Sequence, residues 1–355
     1  MSCCGRGKLI FPTAFKNIIF ASLMETIVSG IRPTGMIHLG NYFGAIRHFI
    51  LLQEEHQCFF FIADYHSLTT HPKSDTLHQN VKEVLATYVA CGLDIEKCAL
   101  YVQSDLPQIP ELYLILNMIA YVGELERSVT FKEKAARQQH NINAGLLTYP
   151  VLMAADILIH KATKVPVGKD QKQHLEMTRD FAQRFNRLYG IDYFPLPEPF
   201  SFQGELIKVP GLDGSGKMGK SEGAHNAVFL KDDPQLIRKK VMRAVTDSGP
   251  TAPNQQKPEV IENLFMLMRL VSNDTTLQYF EKAYNNCTIR YGDMKKQLAE
   301  DIIALTSPIR EKILSLETDE AQLKKIAKAG AEKARASAAA TLKDVREIIG
   351  IKSFA

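Results

Sequence analysis

Thr26-Ile27-Val28-Ser29-Gly30-Ile31-Arg32-Pro33-Thr34-Gly35-Met36-Ile37-His38-Leu39-Gly40-Asn41 is the stretch on which the fold turns. Thr26–Ser29 is an apolar run of strand length, Pro33 and Gly35 punctuate the turn after it, and Gly40–Glu55 reads as a helix. Small residues in such a turn let a ligand approach the backbone, and the unpaired N–H groups of a helix start favour a phosphate. His38 and Asn41 stand at that start and offer donors to phosphate oxygens. A lone histidine there is equally a cap or a surface group, so the turn gains meaning only with a partner elsewhere.

Outward from this unit the pattern repeats. Cys58–Ala63 reads as a strand, Thr76–Cys91 as a helix, Ala99–Gln103 as a strand and Pro110–Tyr121 as a helix opened by proline. Thr148–His160 is helical, Lys164–Val167 a strand and Asp170–Leu188 a helix. Strands alternating with helices of this length predict an α/β fold with a Rossmann-like, doubly wound parallel sheet. After about residue 230 the strands stop. Pro234–Val245, Glu259–Ser272, Thr275–Asn285, Asp293–Leu316 and Glu320–Ile349 all read as helices. The expected organisation is an α/β domain over 24–225 and an all-α domain over 226–355. Residues 1–23 read as an N-terminal extension, either disordered or the product of a misassigned start at a chain that begins at Met24.

Composition narrows the class. The chain has 355 residues, 23% of them charged, which excludes wholesale disorder, and it contains no Trp. No apolar run reaches the roughly 20 residues of a membrane-spanning helix. Cys3, Cys4, Cys58, Cys91, Cys98 and Cys287 form no CxxC pair, which points to a reduced, cytoplasmic setting without structural zinc. The charge is unevenly placed: residues 1–225 hold 22 basic and 22 acidic side chains, residues 226–355 hold 21 and 17. Arg238-Lys239-Lys240 with Arg243, Lys295-Lys296, and Lys324-Lys325 with Lys328, Lys333 and Arg335 could attract a nucleic-acid backbone, or could be solvated helix faces.

Gly214-Ser215-Gly216-Lys217-Met218-Gly219-Lys220-Ser221 satisfies GxxxxGK[ST], the phosphate-cradling P-loop, and Asp64 ends an apolar strand as its metal-holding acid would. That reading needs a strand before the loop and a helix at its lysine. Pro210, Gly211 and Gly223 disfavour both. Two lysines on a glycine-rich loop still suit phosphate neutralisation under another reading.

Taken together, the His38–Asn41 turn and Lys217-Met218-Gly219-Lys220-Ser221 resemble the HIGH and KMSKS motifs of class I aminoacyl-tRNA synthetases. Three further stretches resemble the bacterial-type tryptophanyl-tRNA synthetase family: Gly123-Glu124-Leu125-Glu126-Arg127 with Phe131–Lys134, Gly145–Ile157, and Val165-Pro166-Val167-Gly168-Lys169-Asp170-Gln171-Lys172-Gln173-His174. The likeness runs from Met24 to near the C-terminus, dense up to Ser221 and thin beyond. It implies an ATP- and Mg2+-dependent homodimer that activates L-tryptophan and esterifies tRNA(Trp), with Mg2+ held by the ATP phosphates and no metal held by the protein alone. It also implies that the helical domain binds tRNA, its last helix packing back on the catalytic domain.

The middle stretch has its own logic. Tyr149, Met153, Asp156 and His160 fall on one helical face, and the apolar residues around them bury that helix. A carboxylate there is costly without a donor, which a structural Lys or Arg could supply. The resemblance supplies a ligand donor instead, the indole N–H at Asp156, with Met153 packed on the ring. It further assigns Tyr149 and Gln171 to the α-amino group, His66 to the same pocket and Val28 to its apolar wall. Arg32, Pro33, Thr34, Gly40 and Asn41 match the nucleotide-contacting segment, and Gly168, Lys169 and Asp170 the ribose and adenine side. Lys217, Met218, Gly219, Lys220 and Ser221 form the phosphate loop within 213–222, with His38, Asn41, Lys217 and Lys220 as the catalytic set. Gly219 stands where the family usually has Ser, which would make the loop more mobile while both lysines survive. Three rivals stay open: the tyrosine-specific sibling, a non-catalytic RNA-binding relative, and the P-loop NTPase.

Overall fold

The structure, a computed structural model, describes residues 24–137, 142–168, 171–200, 208–214, 216–219 and 225–354. The predicted site residues Lys169, Asp170, Lys220 and Ser221, and the extension over 1–23, lie outside the described residues.

Five strands, β1 (Thr26–Ile31), β2 (Gln57–Ile62), β3 (Ala99–Val102), β4 (Lys164–Val165) and β5 (Glu198–Pro199), form one sheet in the order β3-β2-β1-β4-β5. Every pairing is parallel. The apolar run of β2 is uninterrupted because both faces of a parallel sheet are covered. Its side chains alternate between two cores. Cys58, Phe60 and Ile62 join Ile27 and Leu100 on one side, while Phe59, Phe61 and Ala63 join Val28 and Tyr101 on the other.

The helices are α1 (Leu39–Asn41), α2 (Arg47–Leu52), α3 (Asp64–Ser67), α4 (Ser74–Cys91), α5 (Gln108–Asn117), α6 (Val122–Glu126), α7 (Val129–Arg137), α8 (Ala144–Leu158), α9 (Lys172–Tyr189), α10 (Pro234–Met242), α11 (Glu259–Val271), α12 (Asp274–Asn285), α13 (Tyr291–Thr318) and α14 (Glu320–Ile348). The expected Gly40–Glu55 helix is interrupted by a π-helical turn at Tyr42–Ile46, a local irregularity often found beside functional sites. The sequence reading missed α3, α6 and α7, which are short, and β5, whose proline is tolerated at a sheet edge.

The last helix covers the opposite edge. Leu323 and Ile326 of α14 enter the first core, and Ala331, Ala334, Ala338, Leu342 and Val345 the second. Between them sits Gly330, where a Cβ would lie 1.8 Å from the Leu100 carbonyl oxygen. Only a residue without a side chain lets the helix ride this closely over β3. Leu264, Phe265, Leu298 and Ile302 of the helical segment share the first core with the sheet.

Candidate active site

At the carboxyl ends of β1, β2 and β4 lies a cavity of about 340 Å3. Neighbouring strands β1 and β4 are far apart in sequence, so the chain crosses over here and opens a crevice, the usual ligand position in such sheets. All six residues assigned from sequence to the amino-acid pocket line it: Val28, His66, Tyr149, Met153, Asp156 and Gln171. Arg32 lines it too. Its guanidinium donates to Thr70 Oγ1 at 3.3 Å, and burial lowers its pKa.

Asp156 is brought inward by α8, which begins at Ala144 because Asn143 Oδ1 accepts from the Leu146 N–H at 2.9 Å. The Asp156 side chain is fully buried. Desolvation raises its pKa, opposed by hydrogen bonds from His66 and Gln103 and by the attraction of His66. His66 Nε2 lies 2.8 Å from Oδ2, and Gln103 Nε2 donates to Oδ1 at 2.8 Å and Oδ2 at 3.0 Å. The donors are thus a histidine and a glutamine, where a structural Lys or Arg was one expectation. Hydrogen bonds to a charged group contribute about 1.5–3 kcal/mol each, so two of them can hold a buried carboxylate.

Tyr149 and Gln171 meet through a residue the sequence reading left without a role. The amphipathic helix α9 turns His174, Thr178, Phe181 and Phe185 inward, and His174 is fully buried. His174 Nδ1 lies 3.0 Å from Gln171 Oε1, and His174 Nε2 meets the Tyr149 hydroxyl. With Oε1 as acceptor, Nδ1 carries the proton and Nε2 accepts from Tyr149. Both flanking groups then present oxygen acceptors, the chemistry an ammonium group requires. His174 was legible only as the residue three positions after Gln171, on the same helical face. Gln103 was legible only as the first polar residue after a parallel strand.

The histidine turn and the lysine loop are joined. His38 opens α1, and Asn41 Oδ1 caps it by accepting the His38 N–H at 3.2 Å. That leaves the Asn41 amide N–H groups as donors. A Cβ at Gly40 would lie 2.8 Å from His38 Nδ1, so glycine leaves room for the His38 ring, and 3.5 Å from Met218 Cβ, an ordinary contact that places Met218 beside the turn. Met218 is buried and its N–H donates to the Val209 carbonyl at 2.8 Å. The strand-like segment after the loop pairs with the turn: Leu39 N–H to Val228 O and Leu230 N–H to Ile37 O, both 2.9 Å. Gly168, assigned from sequence to the nucleotide, lines a second cavity of about 240 Å3 with Gly30, Gly44 and Tyr88. Pro33 and Thr34 border the turn without lining either cavity; the Pro33 carbonyl accepts from Asn80 at 3.1 Å.

Some expectations are corrected. His160 lies beyond the end of α8 and outside the cavity: its ring stacks on Phe59 with centroids 4.0 Å apart, and Nε2 lies 2.9 Å from the Tyr101 hydroxyl. Burial pushes its pKa down to about 3. The helix ends at Leu158, two residues before the periodic pattern does. Nor do residues 208–211 form a strand, or Lys217–Gly219 a first helical turn, as a P-loop demands. Asp64 Oδ1 instead accepts from the Ser104 N–H at 3.1 Å, tying the end of β2 to that of β3.

Within the basic clusters only Lys240 and Lys295 are buried, and several of the exposed residues are paired within the chain. Lys240 is buried against Asp232 Oδ2 at 2.6 Å and the Ala227 carbonyl at 2.9 Å. Lys295 is buried on the Ala244 carbonyl at 2.6 Å, and that burial lowers its pKa. Arg238 pairs with Glu300 at 2.6 Å, and Lys333 and Arg335 donate to the carbonyls of Glu96 and Asp105 at 3.1 and 2.9 Å. Lys239, Arg243, Lys296 and Lys325 stay exposed.

Comparison with known proteins decides the family. The family described as tRNA synthetases class I (W and Y) matches residues 24–307. The chain belongs to it. Among relatives of this class I synthetase, the tryptophan–tRNA ligase of Porphyromonas gingivalis is 63% identical over 329 residues, 93% of this chain and 100% of that protein. That of Fusobacterium nucleatum is 42% identical over 92% of this chain and 98% of its own length. A crystal structure of the Campylobacter jejuni tryptophanyl-tRNA synthetase, complexed with ADP and tryptophan, superposes with a TM-score of 0.83 at 35% identity. It covers 92% of this class I synthetase and 99% of the Campylobacter chain.

Proposed function

We propose that this chain is a tryptophan–tRNA ligase, which forms tryptophanyl-adenylate from L-tryptophan and ATP and then esterifies the 3′-terminal adenosine of tRNA(Trp). The observation that carries this reading is Asp156, a buried carboxylate on a cavity wall that also holds Val28, Phe61, Met153 and Ile157, placed to accept a ring N–H. Tyr149 and Gln171 present acceptors to the α-amino group, while Val28 and Met153 enclose the ring. His38 and Asn41 stand where the phosphates would meet the start of α1, and Lys217 and Lys220 are the charged residues of the lysine motif. Their contribution is positioning and charge neutralisation as the α-carboxylate attacks the α-phosphorus and pyrophosphate leaves. Arg32, Pro33, Thr34, Gly40, Gly168, Lys169 and Asp170, with the loop residues Met218, Gly219 and Ser221, complete the nucleotide side.

Among the described residues no group of three His, Cys, Asp or Glu side chains is placed to hold a metal ion. We assign Mg2+ to the ATP phosphates on the family resemblance, where it would supply further charge neutralisation. tRNA binding falls to the helical segment over 226–355 and its exposed basic residues. Among the described residues no helix is long and apolar enough to cross a membrane, and the free thiols of Cys58, Cys91, Cys98 and Cys287 suit a reducing cytoplasm.

A homodimer is supported by an apolar patch on consecutive helices, where Leu114, Met118, Tyr121, Val122 and Val129 are all more than half exposed. Light scattering should return twice the chain mass; a monomer at micromolar concentration would remove this part of the proposal.

The deciding experiment is ATP–pyrophosphate exchange with each of the twenty amino acids. Tryptophan alone should stimulate it. Stimulation by tyrosine would move the chain to the tyrosine-specific branch, and tRNA binding without any exchange would leave only the non-catalytic reading.

A further inference from the structure

We propose that Gln103 is a positioning residue for amino-acid selection: its amide clamps the Asp156 carboxylate so that the ring N–H of the substrate is received on Oδ1. The inference rests on the tryptophan reading above and deepens it.

A carboxylate offers about four acceptor sites, two on each oxygen. Oδ2 already receives His66 Nε2 at 2.8 Å and Gln103 Nε2 at 3.0 Å. Oδ1 receives only Gln103 Nε2, at 2.8 Å, among the described residues. The donors therefore crowd one oxygen and leave acceptor capacity on the other, on a side chain that lines the cavity.

The orientation of the Gln103 amide supports a dedicated role. Gln103 is fully buried directly after β3, and its Oε1 has no hydrogen-bond partner among the described residues. Turning the amide over would face Oε1 towards the carboxylate, oxygen against oxygen. The fold instead leaves an orphaned acceptor in its interior so that the donor end meets both Asp156 oxygens, and such an exception to the pairing of buried polar groups calls for a reason. Holding Asp156 ionised and fixed about its last torsion is that reason. Without the clamp the carboxylate would keep His66 alone, could rotate, and would be driven further towards its neutral form by the same burial.

The test compares tryptophan with 3-benzothienylalanine, which has a ring sulfur in place of the N–H and nearly the same shape. Pyrophosphate exchange gives the ratio of their kcat/KM values for the wild type, Gln103→Leu, Asp156→Asn and the double variant. Gln103→Leu should narrow the ratio by about tenfold while the KM for ATP stays unchanged. In the Asp156→Asn background it should narrow the ratio no further, because Gln103 acts through Asp156. A purely structural role would lower activity towards both substrates together. An unchanged ratio in Gln103→Leu, or an equal loss in both backgrounds, overturns the proposal. Gln103→Met, unbranched and of similar length, makes the same comparison if the Leu variant is insoluble. A wild type that shows no tryptophan-dependent exchange fails at the earlier step and removes the functional reading itself.

Discussion

Alanine in place of Lys220 is expected to slow adenylate formation by roughly 10²–10³-fold, the effect of removing one group aimed at developing transition-state charge. Tryptophan affinity should stay within about twofold, because a residue that acts only on transition-state charge contributes little to the ground state. The flanks of its loop explain why a remote lysine can matter. Upstream, the Leu212 N–H donates to the Asn226 carbonyl at 3.0 Å; at the loop itself, Asn226 Nδ2 donates to the Lys217 carbonyl at 3.3 Å. Met218 is buried beside Gly40, and the returning chain pairs with Ile37 and Leu39 on either side of His38. The described flanks of the loop are thus held to each other at Leu212 and Asn226, and to the histidine turn through Met218, Val228 and Leu230. Rapid-quench measurement of a single turnover gives the rate. Binding can be followed by indole emission, since the chain contains no Trp and the signal arises from the ligand. An unchanged single-turnover rate would remove Lys220 from the catalytic set.

Gly330→Ala is expected to destabilise the protein by about 3 kcal/mol, at the upper end of overpacking costs. The added methyl would meet the Leu100 carbonyl oxygen at 1.8 Å, and the Leu100 carbonyl carbon at 2.6 Å. These are backbone atoms of β3, so no side chain can rotate away. Either α14 lifts from the sheet edge, exposing apolar surface on both cores, or β3 shifts. Gly292→Ala is the control: a Cβ there meets nothing within 4 Å, and the residue lies inside α13. It should be neutral or stabilising by about 0.4–1 kcal/mol through the unfolded chain. Denaturant unfolding of the two variants checks this, and equal midpoints would show that α14 does not need its close approach to β3.

Much of the fold was legible because the signals were local. The run Cys58–Ala63 is apolar and of strand length, and the order of strands and helices followed from periodicities a few residues long. β5 escaped because it is two residues long and ends in proline. His160 was misplaced because a helical period continues in sequence after the helix itself has stopped. Within the basic clusters two residues escaped for a different reason: a lysine's charge is visible in sequence, but its burial is not. Lys240 and Lys295 are interior residues anchored on backbone carbonyls.

The sequence by itself determined the α/β order, the two motif regions that resemble the class I synthetases, and six of the side chains that line the cavity at the strand ends. These come from neighbours close along the chain and from motifs whose residues stand together. Only the tertiary structure decided which donors hold Asp156, that His174 joins Tyr149 to Gln171, and that Gly330 seats the last helix on β3. Gln103 and His66 reach Asp156 across 53 and 90 residues of chain. Contacts of that span depend on how the sheet and its covering helices are assembled, and no local pattern of apolar and polar residues encodes them.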